Sequence, residues 1–75
     1  MINITIKLNE KANYDIRVPL NIKTSKLVAM LGSAYDFDQP EFPILVNQTN
    51  GEEFYPFDAL TADKVASGNI LILQS

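Results

Sequence analysis

The first twenty residues alternate between apolar and polar side chains with a period of two. Ile2, Ile4, Ile6 and Leu8 occupy every second position, and polar residues lie between them. After a polar stretch over 9–13 the same alternation returns, in Tyr14, Ile16, Val18 and Leu20. A β-strand sends successive side chains to opposite faces, so the pattern predicts two half-buried strands joined as an antiparallel hairpin. Pro19 has no N–H for a ladder and predicts that the second strand ends there or lies at a sheet edge.

The next segment changes to a helical period. Its apolar positions recur at intervals of three and four residues, at Leu27, Val28, Leu31 and Ala34 or Tyr35. Thr24 or Ser25 is predicted to cap the N-terminus, because their hydroxyls can accept from the first free N–H groups. The pair 39–40 includes a proline, which disfavours helix before it. We therefore expect a helix of about three turns that covers the sheet with one apolar stripe.

The second half of the chain predicts shorter elements. Residues 43–46 form a short β-rich run, and the turn dipeptide at 50–51 closes the strand that this run predicts. The aromatic segment 54–57 contains a proline, which predicts an irregular or very short strand with its rings packed on one end of the core. Residues 60–65 predict a short helical turn. Gly68 is expected at positive φ in a turn that leads into the apolar run 70–73.

The order strand, strand, helix, strand, short segment, strand predicts an α+β fold of the β-grasp type. Its two most apolar strands stand at the ends of the chain. We expect the last strand to lie parallel beside the first at the centre of a mixed four- to five-stranded sheet, with the helix across one face. Residues 1–75 are predicted to form a single domain. The alternative is a five-stranded OB-type barrel, which would favour longer strands.

The composition excludes several kinds of chemistry. Cys, His and Trp are absent from the sequence, so there is no thiol nucleophile, no Ser-His-Asp triad and no zinc finger. The acidic segment 36–41 lacks the spacing and central glycine of an EF-hand. Glu52, Glu53 and Asp58 have no electrophile-stabilising group beside them. We therefore predict a protein that is not an enzyme, with no catalytic residues, no cofactor and no metal.

Charge and hydropathy limit the partners and the compartment. The net charge is −3, whereas binding to nucleic acid needs a basic surface, so no nucleic-acid partner is expected. Residues 1–35 carry +3, and residues 36–75 carry −6. This difference favours either a dipolar molecule that orients on a partner or two differently solvated faces. There is no signal-peptide pattern and no apolar run of about 20 residues, which predicts a cytoplasmic protein without membrane insertion.

Three segments carry a more specific pattern than the fold. They read YDIRVP over 14–19, KLVAML over 26–31, and an ending that runs from Leu60 through Val65 and Gly68-Asn69-Ile70-Leu71 to Leu73. Together they resemble the YukD/EsaB group of ubiquitin-related bacterial proteins, over nearly the whole chain. The resemblance implies an accessory or regulatory protein of a type VII secretion system in Gram-positive bacteria. It also implies a protein partner, the cytoplasmic part of the membrane secretion complex.

Ubiquitin-like proteins act either by covalent attachment or by reversible binding. Attachment needs a flexible tail that ends in Gly-Gly, whereas this sequence reads Leu73-Gln74-Ser75 after the last apolar run and contains no glycine pair. We therefore expect reversible binding and no conjugation. The alternative to a secretion role is a β-grasp adaptor or dimerisation module unrelated to secretion. A weak homodimer is a further expectation.

Strand alternation suggests where a partner would bind. Leu45 points outward if its two neighbours in the third strand face the core, and Ile70 and Ile72 point outward if Leu71 and Leu73 face the core. The opposite parity would bury these side chains instead. The predicted protein-binding residues are Leu45, Ile70 and Ile72, with Thr5 and Lys7 as polar neighbours on the outward face of the first strand.

Overall fold

The structure, a computed structural model, describes residues 1–9 and 11–74. Glu10, in the predicted turn over 9–13, and Ser75 lie outside these ranges. The elements are β1 (Ile2–Lys7), β2 (Asn13–Val18), α1 (Thr24–Tyr35), β3 (Ile44–Asn47), β4 (Glu53–Phe54) and β5 (Ile70–Gln74). The predicted turn over 60–65 is present, with the Lys64 and Val65 N–H groups both donating to the Thr61 carbonyl. Gly68 has the expected positive φ, at 91°.

The strands form one mixed sheet in the order β2-β1-β5-β3-β4. Strand β1 is antiparallel to β2 and parallel to β5, while β3 is antiparallel to both β5 and β4. The parallel pair β1–β5 therefore lies at the centre, as predicted, and the β-grasp fold is confirmed. The sheet has two free edges, β2 and β4, so it is not the closed barrel of the alternative.

The N-terminus of α1 is capped differently from the prediction. Thr24 is the first helical residue, and the side chain of the N-cap residue Lys23 makes no capping bond. The Thr24 N–H donates to the Asp58 carbonyl (2.9 Å), and the Ser25 N–H donates to the Pro56 carbonyl (3.0 Å). The Thr24 hydroxyl donates to the Asp58 carbonyl as well, at 3.0 Å. Loop 56–58 thus satisfies N–H groups that a helix leaves free, and no side-chain cap is needed.

The core lies between α1 and one face of the sheet. Leu27, Val28 and Leu31 of the helix belong to the same buried cluster as Ile4 and Ile6 of β1, so the predicted packing of the helix on one face of the sheet is confirmed. The cluster also contains Val18, Ile22, Leu45, Phe54, Leu60, Val65 and Leu71. The end of the predicted stripe differs, because Tyr35 is exposed and stacks on Tyr14 with ring centroids 3.9 Å apart.

The aromatic segment contributes one ring to the core. Phe54 is fully buried, but Tyr55 and Phe57 are 37% and 69% exposed. The prediction that all these rings pack on the core is therefore wrong. Strand β4 has only two residues, so the chain beyond it does not follow the sheet and the later rings lie on the surface.

Asn47 at the end of β3 is the unusual member of the buried face. Its side chain is fully buried, and its Nδ2 donates to the Lys64 carbonyl (3.1 Å) and to Asn69 Oδ1 (2.9 Å). Its Oδ1 accepts from the Thr49 N–H at 3.0 Å. A buried amide with its donors and acceptor paired is tolerated, and this one links β3 to the turn before β5.

Candidate functional site

The open face is the face of the sheet that α1 does not cover. The side chains that β3 contributes to this face are not the ones that the sequence predicts. Leu45 is fully buried, and it lies opposite Phe54 of β4 and Leu73 of β5. The prediction that Leu45 points outward is therefore wrong. The reason is Asn47, which shares the parity of Leu45 and is held inward by its hydrogen bonds.

Four aliphatic side chains form the centre of the open face. Ile70 and Ile72 flank the buried Leu71 and so point away from the helix, as predicted. Val46 lies directly opposite Ile72, and Ile44 lies two positions further along β3. These four side chains are all half-buried and form the aliphatic patch, which consists of Ile44, Val46, Ile70 and Ile72. Ile44 and Val46 take the place that the sequence pattern assigned to Leu45.

Strand β1 supplies a polar border to the patch. Thr5 lies opposite Ile70, and Lys7 lies opposite Ile72, in the parallel pairing with β5. The Thr5 hydroxyl donates to Asp15 Oδ1 at 2.7 Å, so it is fixed toward β2. Four of the five predicted binding residues are therefore neighbours on one face.

A shallow depression of about 420 Å³ lies at this border. Its lining consists of Lys7, Leu8, Asn9, Asn13, Ile72 and Leu73. It combines the aliphatic surface of β5 with the ammonium group of Lys7 and two side-chain amides. Such a site suits an apolar side chain of a partner with a hydrogen-bonding group next to it.

The opposite border is acidic and aromatic. Glu53 of β4 lies opposite Val46, and the Tyr55 hydroxyl approaches Glu53 Oε2 at 3.4 Å, which places both side chains on the open face. The Tyr55 ring centroid lies 6.3 Å from that of Phe42 and 6.0 Å from that of Phe57. Sequence reasoning missed this exposed cluster. For Tyr55 the signal was its position directly after the core residue at 54, since successive side chains of a strand point to opposite faces. Phe57 lies beyond the strand, where this rule does not apply.

Asp63, in the turn over 60–65, has a lowered pKa. The Thr61 hydroxyl and a backbone N–H hold the pKa of the Asp63 carboxyl below its ordinary value, outweighing a small opposing effect of desolvation. Within the described ranges, no group of three or more His, Cys, Asp or Glu side chains is placed to hold a metal ion. Residues 1–9 and 11–74 also contain no helix with the length and apolarity needed to cross a bilayer.

No family model matches the chain, and a comparison with curated proteins finds no match. Among solved structures, the crystal structure of ATBAG1 in complex with HSP70 is similar, with a TM-score of 0.74 and 17% identity over 100% of this chain. This chain spans 40% of the length of that one. The UBL domain of Plasmodium falciparum Dsk2 is also similar, with a TM-score of 0.69, 17% identity and 97% coverage of each chain. This chain has the ubiquitin-like β-grasp fold.

Proposed function

We propose that this protein is a non-catalytic, ubiquitin-like module that binds another protein reversibly through the aliphatic patch. The observation that carries the proposal is the cross-strand pair Val46 and Ile72, which lies on the face that the helix leaves uncovered. Ile44 and Ile70 extend this pair along the same two strands. Four neighbouring aliphatic side chains at the centre of a sheet form a surface that gains free energy when a partner removes it from water.

The borders of the patch suit an interface as well. Protein interfaces commonly have an apolar centre with a polar rim that stays in contact with solvent. Here Thr5 and Lys7 border the patch on one side, and Glu53 borders it on the other. Charges of opposite sign on the two sides favour one orientation of the partner over the reverse, because like charges repel in the wrong orientation.

A protein partner is also the kind of ligand seen with one structural neighbour. The ATBAG1 chain, which contains a region of the same fold, is in a complex with HSP70. This supports protein binding as the general function of the present chain. The identity of 17% is too low to transfer HSP70 itself as the partner.

At a finer level, we propose an accessory or regulatory role in a type VII secretion system of Gram-positive bacteria. The support is the resemblance to the YukD/EsaB group over 14–19, 26–31 and 60–73. In the fold these segments supply most of β2, half of α1 and the turn with β5. The proposed partner is the cytoplasmic part of the membrane secretion complex, with this protein acting from the cytoplasm.

Affinity capture from the native cell tests both levels of the proposal. The wild-type chain, Ile72→Asp and the control Ser33→Asp serve as baits, and mass spectrometry identifies the captured proteins. Ser33 is an exposed residue of α1, so its variant adds the same charge on the opposite layer. We expect the wild type and Ser33→Asp to capture the secretion complex. Ile72→Asp should weaken capture by the roughly 2 kcal/mol, or more, that an interface anchor contributes.

The outcomes separate the two levels. Equal capture by Ile72→Asp and wild type contradicts the role of the aliphatic patch. Capture of an unrelated protein that depends on Ile72 supports the patch but contradicts the secretion role and favours a general adaptor. Thermal unfolding of each bait confirms that a lost partner does not reflect a lost fold.

A further inference from the structure

Strand β2 forms one edge of the sheet, and part of its backbone faces away from β1. The Thr5 N–H of β1 donates to the Asn69 carbonyl at 3.0 Å, so the backbone of Thr5 is directed toward β5. Asp15 lies opposite Thr5 in the antiparallel pairing. Because bonded and non-bonded pairs alternate along such a ladder, the N–H and C=O groups of Asp15 point to the free edge. Two residues further along, Arg17 has the same orientation.

The two edges of the sheet differ in their capacity to pair. Strand β4 has two residues and is followed closely by Pro56, which has no N–H. Strand β2 has six residues, and Pro19 lies just beyond its end. An edge strand of this length without internal proline can accept another extended strand.

The charged side chains of β2 are complementary to those of a second copy of the same strand. An antiparallel pair of β2 strands with Ile16 opposite Ile16 places Asp15 of each copy opposite Arg17 of the other. A shift of two residues in either direction is the smallest that keeps the side chains on their faces, and it places Asp15 opposite Asp15, or Arg17 opposite Arg17. Opposite charges across a strand pair stabilise it, and like charges destabilise it. Charge complementarity therefore favours the register centred on Ile16.

This register also uses the free backbone groups. Asp15 and the Arg17 that it faces both direct their N–H and C=O groups to the new strand, so each of these pairs exchanges two backbone hydrogen bonds. One oxygen of Asp15 already accepts from the Thr5 hydroxyl at 2.7 Å. The other oxygen remains available to a guanidinium.

A groove beside the edge has room for the apolar side chains of the second copy. Its volume is about 340 Å³, and it is lined by residues 15–18 of β2 and by Leu27, Met30, Leu31, Ala34 and Tyr35 of α1. Ile16 is only half-buried although Ile4, its partner on β1, is 2% exposed. Met30 at the rim is 52% exposed. A strand added at the edge would cover Ile16 and part of this groove.

We propose that two copies of the protein associate through β2 in the register centred on Ile16, which joins their sheets into one. The Asp15–Arg17 pairs specify the register, and the apolar groove contributes the burial. The Asp15–Arg17 pairs lie on the open face, but β1 separates them from the aliphatic patch, which is not part of this contact. The proposal therefore stands or falls separately from the proposed function.

Sedimentation of charge-reversal variants tests the association. The wild type is expected to shift from monomer to dimer as its concentration rises to about 1 mM, a range that covers weak contacts. Asp15→Arg places like charges opposite each other and should weaken the dimer by at least about tenfold. The double variant Asp15→Arg with Arg17→Asp restores opposite charges and should restore association. Both variants lose the hydrogen bond to Thr5, so that loss cannot explain a difference between them.

Glu52→Arg is the matched control, because it makes the same change in net charge at an exposed position outside the strands. It is expected to associate like the wild type. A wild type that stays monomeric overturns the proposal. So does a dimer that Asp15→Arg leaves intact, or one that the double variant fails to restore.

A cysteine placed at the centre of the strand tests the register directly. The sequence contains no cysteine, so one substitution gives one thiol per chain. In the proposed register, Ile16 of one copy lies opposite Ile16 of the other in a non-bonded pair. The Cα atoms of such a pair are about 4.5 Å apart, which is close enough for a disulfide. Mild oxidation should therefore cross-link the Ile16→Cys variant. Asn13→Cys should stay largely monomeric, because residue 13 is more exposed but lies far from residue 13 of the second copy. The reverse result, or equal cross-linking of both, overturns the proposed register.

Discussion

The two faces of this sheet have the same alternation of residues but different environments. On the face that α1 covers, Ile6, Leu45 and Leu71 are fully buried. On the open face, Val46 and Ile72 occupy neighbouring positions of the same strands and remain half-buried. Aliphatic side chains on the first face are explained by folding alone. On the second face the proposed binding would account for them. The position of the helix therefore separates residues that stabilise the fold from candidate binding residues.

Adjacent residues of β3 give the largest expected contrast between the faces. Leu45→Lys would place an ammonium group in the core and should destabilise the fold by more than about 4 kcal/mol, leaving the variant largely unfolded. Val46→Lys would lie in contact with solvent opposite Glu53, where opposite charges attract. Circular dichroism of the two variants during heating measures the contrast. The reverse order of midpoints would show that β3 has the other parity, and similar midpoints would contradict the division between the two faces.

Truncation in β5 gives a smaller effect in the same direction. Leu71→Ala removes a fully buried side chain and should lower the free energy of unfolding by about 2 to 5 kcal/mol. Ile70→Ala, at the adjacent half-buried position, should lower it by about 1 kcal/mol, because less apolar area leaves the folded state. Chemical denaturation of both variants measures these values. An equal loss at the two positions would contradict the division between a covered and an open face.

On the covered face, the buried amide of Asn47 is expected to contribute more to stability than an exposed amide with the same acceptor. Asn47→Ala leaves the Thr49 N–H without its acceptor and should cost about 1 to 3 kcal/mol of stability. Asn50→Ala is the matched control, since Asn50 donates to the same Lys64 carbonyl from an exposed position. The control should cost less than about 1 kcal/mol. A larger loss at Asn50 than at Asn47 would show that the buried amide does not hold β3 in its parity.

The smallest expected effect belongs to Asp63, which lies in the turn before β5. Its folded-state pKa lies below the ordinary value of 3.8, chiefly because the Thr61 hydroxyl bonds to the charged form. Its stabilising contribution is therefore present above pH 3.8 and is lost as pH falls through the folded-state pKa. Asp63→Asn should melt slightly below the wild type at neutral pH, with the difference disappearing in acid. NMR titration of the carboxyl should show a pKa closer to the ordinary value in Thr61→Val than in the wild type.

The success of sequence reasoning differed between long and short strands. The alternation in β1 and β2 extends over several residues, so it predicts the hairpin, and the apolar ends of the chain predict the central pair β1–β5. Strand β3 has four residues after a proline, and three of them are aliphatic, so its sequence carries no period. Its parity depends on Asn47, whose inward position depends on Lys64 and Asn69, distant in sequence. Local alternation could not reveal those partners.

The candidate site was predictable where it depended on the longer pattern. Ile70, Ile72, Thr5 and Lys7 follow from the alternation in β1 and β5, and the structure brings them together. The contribution of Ile44 and Val46 to the open face was not predicted, because the predicted parity of β3 was wrong. The exposed rings of Tyr55 and Phe57 were missed because β4 ends after two residues, which composition does not indicate.

Site-specific photo-crosslinking in the native cell tests the central claim, that the open face binds a protein. A photoreactive amino acid replaces Ile72 on the open face in one strain and Ser33 on the outer surface of α1 in another. We expect irradiation to yield adducts at position 72 that contain the cytoplasmic part of the membrane secretion complex, with few at position 33. Adducts at position 33 with none at position 72 would contradict the claim and assign binding to the helix side of the molecule.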